Sequence, residues 1–261
     1  MKKILTISTL LLSLGIFTGC DKETDVIAKF ETPSSGQALL KINYVSPYTA
    51  NPSVQLKLND TRVSNLITAR TPFPGGGYNT GGGSANDYLA VNPGAVPLSV
   101  SIPKRLTNTD SVVLFTTTLN LEAGKNYSAH ITDTATNTKV LLLQDDLTQP
   151  DTGQTRFRFV NLMPNVPAID LYYGSTKVAS NIAYLTASPY VTMPVPTTAL
   201  AWTIREAGAA ATTDPLATYT SANTTLSTRV YTAFAVGYKG LATTAPGYAA
   251  RRPYISFYIN K

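Results

Sequence analysis

One cysteine and one histidine stand in 261 residues. A lone Cys excludes an internal disulfide, and a lone His excludes chemistry that needs two imidazoles. A zinc site wants Cys and His in number, so no metal site is expected. Charge is scarce too. Asp, Glu, Lys and Arg make up 14% of the chain, against about 25% in an average soluble domain. Past residue 37 no long helical repeat with caps occurs. What is present is 43% hydrophobic residues, enough to build cores. Tyr (15) outnumbers Phe (8), and Thr is heavily used. Those residues favour strands over helices.

Met1-Lys2-Lys3 is a short basic start, and Ile4 to Phe17 is a mainly apolar run. That run is short for a membrane-crossing helix, which needs about 20 residues. It fits the apolar region of a secretory signal. Phe17-Thr18-Gly19-Cys20 closes it with small residues before the only Cys. This resembles a bacterial lipoprotein signal, with Phe17 where Leu is usual. The resemblance implies cleavage after Gly19 and acylation of Cys20, hence a lipid anchor. Two or more acyl chains anchor stably, at about 0.8 kcal/mol per buried CH2. Asp21-Lys22-Glu23-Thr24-Asp25 resembles the surface-export signal of some Gram-negative lipoproteins, while a plain solvated tether has the same composition. A cell-surface location on the outer membrane is expected, with a periplasm-facing one as the alternative. Thr32-Pro33-Ser34-Ser35-Gly36 reads as linker.

The rest divides near Thr148-Gln149-Pro150-Asp151-Thr152-Gly153 into two regions that look alike. Leu40 to Pro47, then Pro52 to Leu58, then Val63 to Leu66 parallels Phe157 to Pro164, Pro167 to Tyr173 and Val178 to Ile182. Tyr88 to Gly94 matches Tyr190 to Pro194, Leu98 to Ile102 matches Ala201 to Ile204, and Tyr127 matches Tyr231. Val54, Leu56 and Leu58 are apolar at every second position, with Gln55 and Lys57 between. Ile169, Leu171 and Tyr173 repeat this around Asp170 and Tyr172. Period two turns one set to a core and the other to solvent. The fold class expected is all-β: two tandem immunoglobulin-like antiparallel β-sandwiches after a lipoprotein signal peptide and linker. The expected bounds are 1–19 signal, 20–37 lipid-anchored tether, 38–147 first sandwich, 148–154 linker and 155–261 second sandwich.

Phe157-Arg158-Phe159-Val160-Asn161-Leu162-Met163-Pro164-Asn165-Val166-Pro167-Ala168-Ile169-Asp170-Leu171-Tyr172 resembles the signature of the domain of unknown function numbered 4397. Met163 and Asn165 stand where that family has Ser and Asp. The likeness is specific over residues 155–205, and the copy from Leu40 is more divergent. Its members are mostly secreted or lipid-anchored bacterial proteins with an immunoglobulin-like sandwich. The resemblance implies fold and location, and it brings no activity with it.

No residue group promises catalysis, so no catalytic residue is expected. His130, in the strand-like Tyr127-Ser128-Ala129-His130-Ile131-Thr132, should lie half-exposed on a sheet face, and no nucleophile elbow accompanies it. Asp145-Asp146 with Asp151 is the densest acidic group, and adjacent strand residues point to opposite faces, so it reads as a solvated linker end. No paired carboxylates stand in a glycosidase motif. Asp170 should face outward. Pro72 to Ser84 carries two Gly-Gly-Gly runs with no Lys-Ser/Thr after them, so it is no phosphate loop. The second region has no equivalent. A long loop with aromatics on a rigid sandwich is where binding often resides, which makes Phe73, Tyr78 and Tyr88 the candidate ligand-binding residues of loop 71–88. A featureless insertion is the competing reading. Asp110-Ser111-Val112 and Asp133-Thr134-Ala135 resemble short O-glycan acceptor sites.

Residues 21–147 carry 10 basic and 11 acidic residues, and residues 148–261 carry 9 and 4, so the positive charge lies in the second half. Its cations are scattered and an exported protein rarely meets nucleic acid, so none is expected as a partner. An anionic glycan or acidic envelope partner suits the bias. Arg251-Arg252-Pro253 should sit on an exposed loop before the last strand. No cofactor is expected. The function expected is a non-catalytic envelope lipoprotein, held to the membrane by its anchor and binding a glycan or envelope protein. A structural accessory subunit is second and an envelope hydrolase third.

Overall fold

Period-two alternation becomes strands over the whole of the described chain. The computed structural model describes residues 36–261. Cys20 and the Gly19 cleavage position lie outside the described residues. In chain order the strands are β1 (Ala38–Tyr44), β2 (Gln55–Leu58), β3 (Thr61–Arg62), β4 (Thr71–Phe73), β5 (Gly77–Tyr78), β6 (Leu89–Val91), β7 (Gly94–Pro103), β8 (Asp110–Leu121), β9 (Asn126–Thr132) and β10 (Lys139–Gln144). They continue with β11 (Gln154–Asn161), β12 (Ala168–Tyr173), β13 (Thr176–Ala183), β14 (Thr186–Ala187), β15 (Val191–Pro194), β16 (Trp202–Glu206), β17 (Ala217–Tyr219), β18 (Val230–Val236) and β19 (Tyr254–Ile259). One four-residue helix, α1 (Tyr248–Arg251), precedes the last strand.

The strands form four sheets. One has the order β3-β2-β7-β8 and another β13-β12-β16-β17. A third runs β10-β9-β1-β4 with β6 also on β1, and a fourth runs β14-β11-β18-β19-β5 with β15 also on β11. The first and third sheets enclose a core that includes Leu40, Ile42, Leu56, Leu98 and Ile131. The second and fourth enclose one built on Phe159, Leu171, Trp202 and Phe257. The Trp202 ring meets Tyr173, Phe157 and Phe257 at centroid distances of 4.5, 4.8 and 5.3 Å. Its indole N–H donates to Thr224 Oγ1 at 2.9 Å, which removes the cost of burying that donor.

The strand order is the same in both halves, and one side-chain bond repeats with it. Tyr127, second in β9, accepts the Glu122 N–H at 3.2 Å. Tyr231, second in β18, accepts the Leu226 N–H at 3.4 Å and donates to Asn223 O at 2.8 Å. Each hydroxyl ties a strand start to the corner five residues upstream, in the manner of the tyrosine corner of immunoglobulin-like sandwiches.

Two expectations change here. The sheets are antiparallel except for one parallel pair per half, β1 with β9 and β11 with β18. Alternation marks a strand but carries no direction, so the parallel pairs were not legible. Of the polar positions expected in solvent, Gln55, Lys57 and Asp170 are covered within their own halves. On β1 and β9, Lys41, Asn43, Ser128 and His130 are fully buried. The third and fourth sheets lie back to back, and Val45, Val160, Leu162, Phe234, Val236, Tyr254 and Tyr258 form a further apolar cluster between them. β18 and β19 are therefore buried on both faces, as expected of strands covered on two sides.

The glycine-rich segment joins the halves. β5 adds to the outer edge of β19, pairing Tyr78 with Phe257 and Gly77 with Tyr258. Asn79 donates to Ile255 O at 2.7 Å, and Ser256 Oγ donates to Asn79 O at 2.7 Å. Gly77 is required by close approach: a Cβ there would lie 1.7 Å from Phe257 O.

Candidate functional site

The chemically capable side chains meet in the polar layer between the back-to-back sheets. Arg158 and Asp145 form a buried ion pair, with side chains 5% and 0% exposed. Asp145 Oδ2 also accepts from Ser128 Oγ at 2.6 Å and from Tyr88 OH at 2.9 Å. Asn260 Nδ2 donates to Tyr88 OH at 2.9 Å, and Thr232 Oγ1 donates to Asn260 Oδ1 at 2.9 Å. Burial works against the Arg158 charge, yet the adjacent Asp145 carboxylate overcomes it and raises the Arg158 pKa. Burial brings the Lys41 ammonium down to about 8, with Asp145 and Asp87 opposing. Its Nζ reaches Pro74 O at 3.3 Å and lies 5.0 Å from the Tyr88 ring centroid and 5.6 Å from that of Tyr258.

His130 is here as well, and the half-exposed position expected for it is corrected. It is fully buried. Asn43 Nδ2 lies 3.1 Å from Nδ1 and Tyr258 OH 3.2 Å from Nε2. With Asn43 donating to Nδ1, the proton sits on Nε2 and faces the Tyr258 hydroxyl. Burial pulls its pKa down to about 3, helped by the Arg158 charge. A neutral imidazole held on both nitrogens has no free edge for substrate.

Asp145 is likewise no solvated linker end, because the two sheets close over it. Asp146 fits the expectation better: it is exposed and pairs with Arg156 at 2.6 Å. Asp170, expected outside, is 2% exposed. It accepts from Lys177 Nζ at 2.6 Å and from the Asn181 and Gly208 amides at 2.7 and 3.2 Å. Burial opposes its charge, but Lys177 and the two amides hold the carboxyl below the usual carboxylate range. It ties β12 to β13 and to the turn after β16. Among the described residues no three His, Cys, Asp or Glu side chains cluster in a way that could hold a metal.

The candidate binding aromatics are occupied internally. Phe73 packs against the first core, and Tyr78 packs against the second. Tyr78 lies 6.4 Å from the Tyr231 ring. The Tyr88 hydroxyl belongs to the polar layer. The segment has an architectural use that its glycine content concealed. Of the two acceptor-like triplets, Ser111 is exposed and Thr134 half-buried. Arg251 ends α1 and lies over the Tyr238 ring, while Arg252 lies over Tyr254.

An open groove remains on the first half. It encloses about 700 Å³ and is lined by Pro52, Ser53, Arg62, Leu66 and the turn from Ile102 to Asn108. That turn is the β7–β8 hairpin tip, and Leu106 on it is 95% exposed. Sequence reasoning passed over it, although an apolar Leu inside Lys104-Arg105-Leu106-Thr107-Asn108 was a visible signal.

Fold and contacts define an all-β sandwich protein whose Arg158–Asp145 pair and Trp202 cluster join its sheets. The chain belongs to the family described as domain of unknown function DUF4397, whose profile matches residues 38–172. That span takes in the whole first half and ends inside the second, so the likeness is not confined to residues 155–205. No curated protein matches the chain. Among solved structures, a cell-adhesion candidate from Bacteroides uniformis aligns at 8% identity, covering 87% of this chain and 98% of its own, with a TM-score of 0.20. Family 41 carbohydrate-binding modules from streptococcal virulence factors, which recognise alpha-glucan, align at 12% identity over 76% and 92%, with a TM-score of 0.21. Likenesses this loose carry no argument about this chain.

Proposed function

We propose that this chain is a non-catalytic cell-envelope lipoprotein that binds a glycan or protein at the cell surface. Cys20, freed by cleavage after Gly19, carries the acyl anchor, and the residues from Asp21 to Gln37 space the folded part from the membrane. Residues 155–261 are a second copy of the family unit in residues 38–147. The observation that carries the binding role is the allocation of side chains. His130, Asp145, Arg158 and Asp170 are fixed in buried contacts, while the groove at the β7–β8 tip stays open. A rigid scaffold with an open end suits recognition rather than turnover.

Two measurements test this. Cys20→Ala should abolish acylation and release the chain from the membrane fraction. The intact chain should retain a ligand on a glycan array or capture a stoichiometric partner from envelope membranes. Turnover on a hydrolase panel, with no ligand in either assay, would overturn the binding role.

A further inference from the structure

The groove beside the hairpin tip has a definite chemistry. Its apolar surface comes from Pro52, Leu66, Ile102, Pro103 and Leu106, and its charge comes from Arg62, Lys104 and Arg105. No Asp or Glu lines it, and neither does any aromatic ring. Arg62 is held in place: Nε donates to Ser64 O at 2.7 Å and Nη1 to Asn108 Oδ1 at 2.8 Å. None of the five ion pairs among the described residues includes Arg62, Lys104 or Arg105.

The tip is built to hold its shape. The Lys104 N–H donates to Thr109 O at 2.8 Å, the Thr107 N–H to Lys104 O at 3.1 Å and the Thr109 N–H to Thr107 Oγ1 at 3.2 Å. Leu106 sits in the left-handed region at φ 59, which a branched side chain resists. The fold therefore holds a Leu in solvent at a backbone position that suits Gly. Leu66, which lines the same groove, is 52% exposed. Two exposed large hydrophobics on one groove mark an interaction surface.

We infer that this groove docks an extended acidic segment of a partner protein, one that carries aliphatic side chains among its carboxylates. This rests on the binding role above and names its site and ligand chemistry. Charge complementarity selects an acidic partner, since three cations line the groove with no ion-pair partner or opposing carboxylate among the described residues. The aliphatic lining selects apolar side chains between the acids. Sugars stack on aromatic faces, and the groove offers none. A bilayer surface does not enter a concave site.

The test uses the intact chain and capped, fluorescent eight-residue peptides that alternate Asp or Glu with Leu or Val. Control peptides replace the acids by Lys or the aliphatics by Ser, and heparin and phosphatidylglycerol vesicles stand for the other anionic classes. The acidic aliphatic peptides should bind about ten-fold tighter than either control, and more weakly in high salt. Lys104→Glu with Arg105→Glu should weaken them by about ten-fold or more. Leu106→Gly should weaken them too while thermal stability is held or raised, because Gly accepts the left-handed backbone. Arg251→Glu with Arg252→Glu should leave binding intact. Binding indifferent to the tip variants, or a preference for heparin or vesicles, overturns the inference. A glycan or envelope partner retained by the Leu106→Gly chain would sink the groove and leave the broader binding role standing.

Discussion

At the scale of single residues, His130 shows how environment overrides residue type. The sequence offers one imidazole, and the fold uses it as a neutral spacer between Asn43 and Tyr258. Its charged form is excluded by burial and by Arg158, so its pKa falls to about 3. Between that value and the ordinary 6.5 of an exposed His, the unfolded chain binds a proton that the folded chain does not. Stability attributable to His130 is therefore present above 6.5 and is lost as pH falls toward 3. Each pH unit crossed costs about 1.4 kcal/mol. Thermal melts of His130→Gln at pH 7 and pH 4 should show a smaller drop than the parent chain. An equal drop in both would assign the acid sensitivity to carboxylates such as Asp170. Candidate residues were visible in the sequence, but their surroundings were not. Nothing local in Tyr127 to Thr132 says that a second sheet lies over the alternate face.

Among the elements, the segment from Pro72 to Ser84 changed most. Its composition matches a featureless insertion, yet β5 completes the edge of a sheet in the other half of the molecule. Glycine is needed at residue 77 because Phe257 O occupies the place of a Cβ. Gly77→Ala should lift β5 from β19 and cost about 2 kcal/mol or more. Faster amide exchange in β19 should accompany that loss, because an unpaired strand edge opens to water. Unchanged exchange at Phe257 and Tyr258 would mean that β5 adds nothing to the edge. The strand positions around Leu56 and Leu171 were legible because alternation is local. The pairing of Gly77 with Tyr258 spans most of the chain, and no local pattern records it.

For the whole molecule, the two halves are held chiefly by apolar packing. A buried ion pair such as Arg158–Asp145 roughly breaks even, since desolvation offsets its attraction. Burying a side chain such as Val160, Leu162 or Phe234 contributes about 1.5–3 kcal/mol each. The intact chain should therefore melt in one calorimetric transition. A fragment beginning at Thr148 should melt lower and bind a hydrophobic dye, because it exposes Phe234 and Tyr258 and lacks β5. Two separate transitions, with the fragment reproducing the second, would show that the halves fold independently. By itself the sequence determined the all-β class and the alternate positions that form the two cores, because period two and turn chemistry act over a few residues. Only the tertiary structure decided the parallel pairs, the burial of the polar strand faces and the role of the glycine-rich segment. Those depend on sheets meeting across the molecule, where burial is set by what packs on a face rather than by the residues that make it.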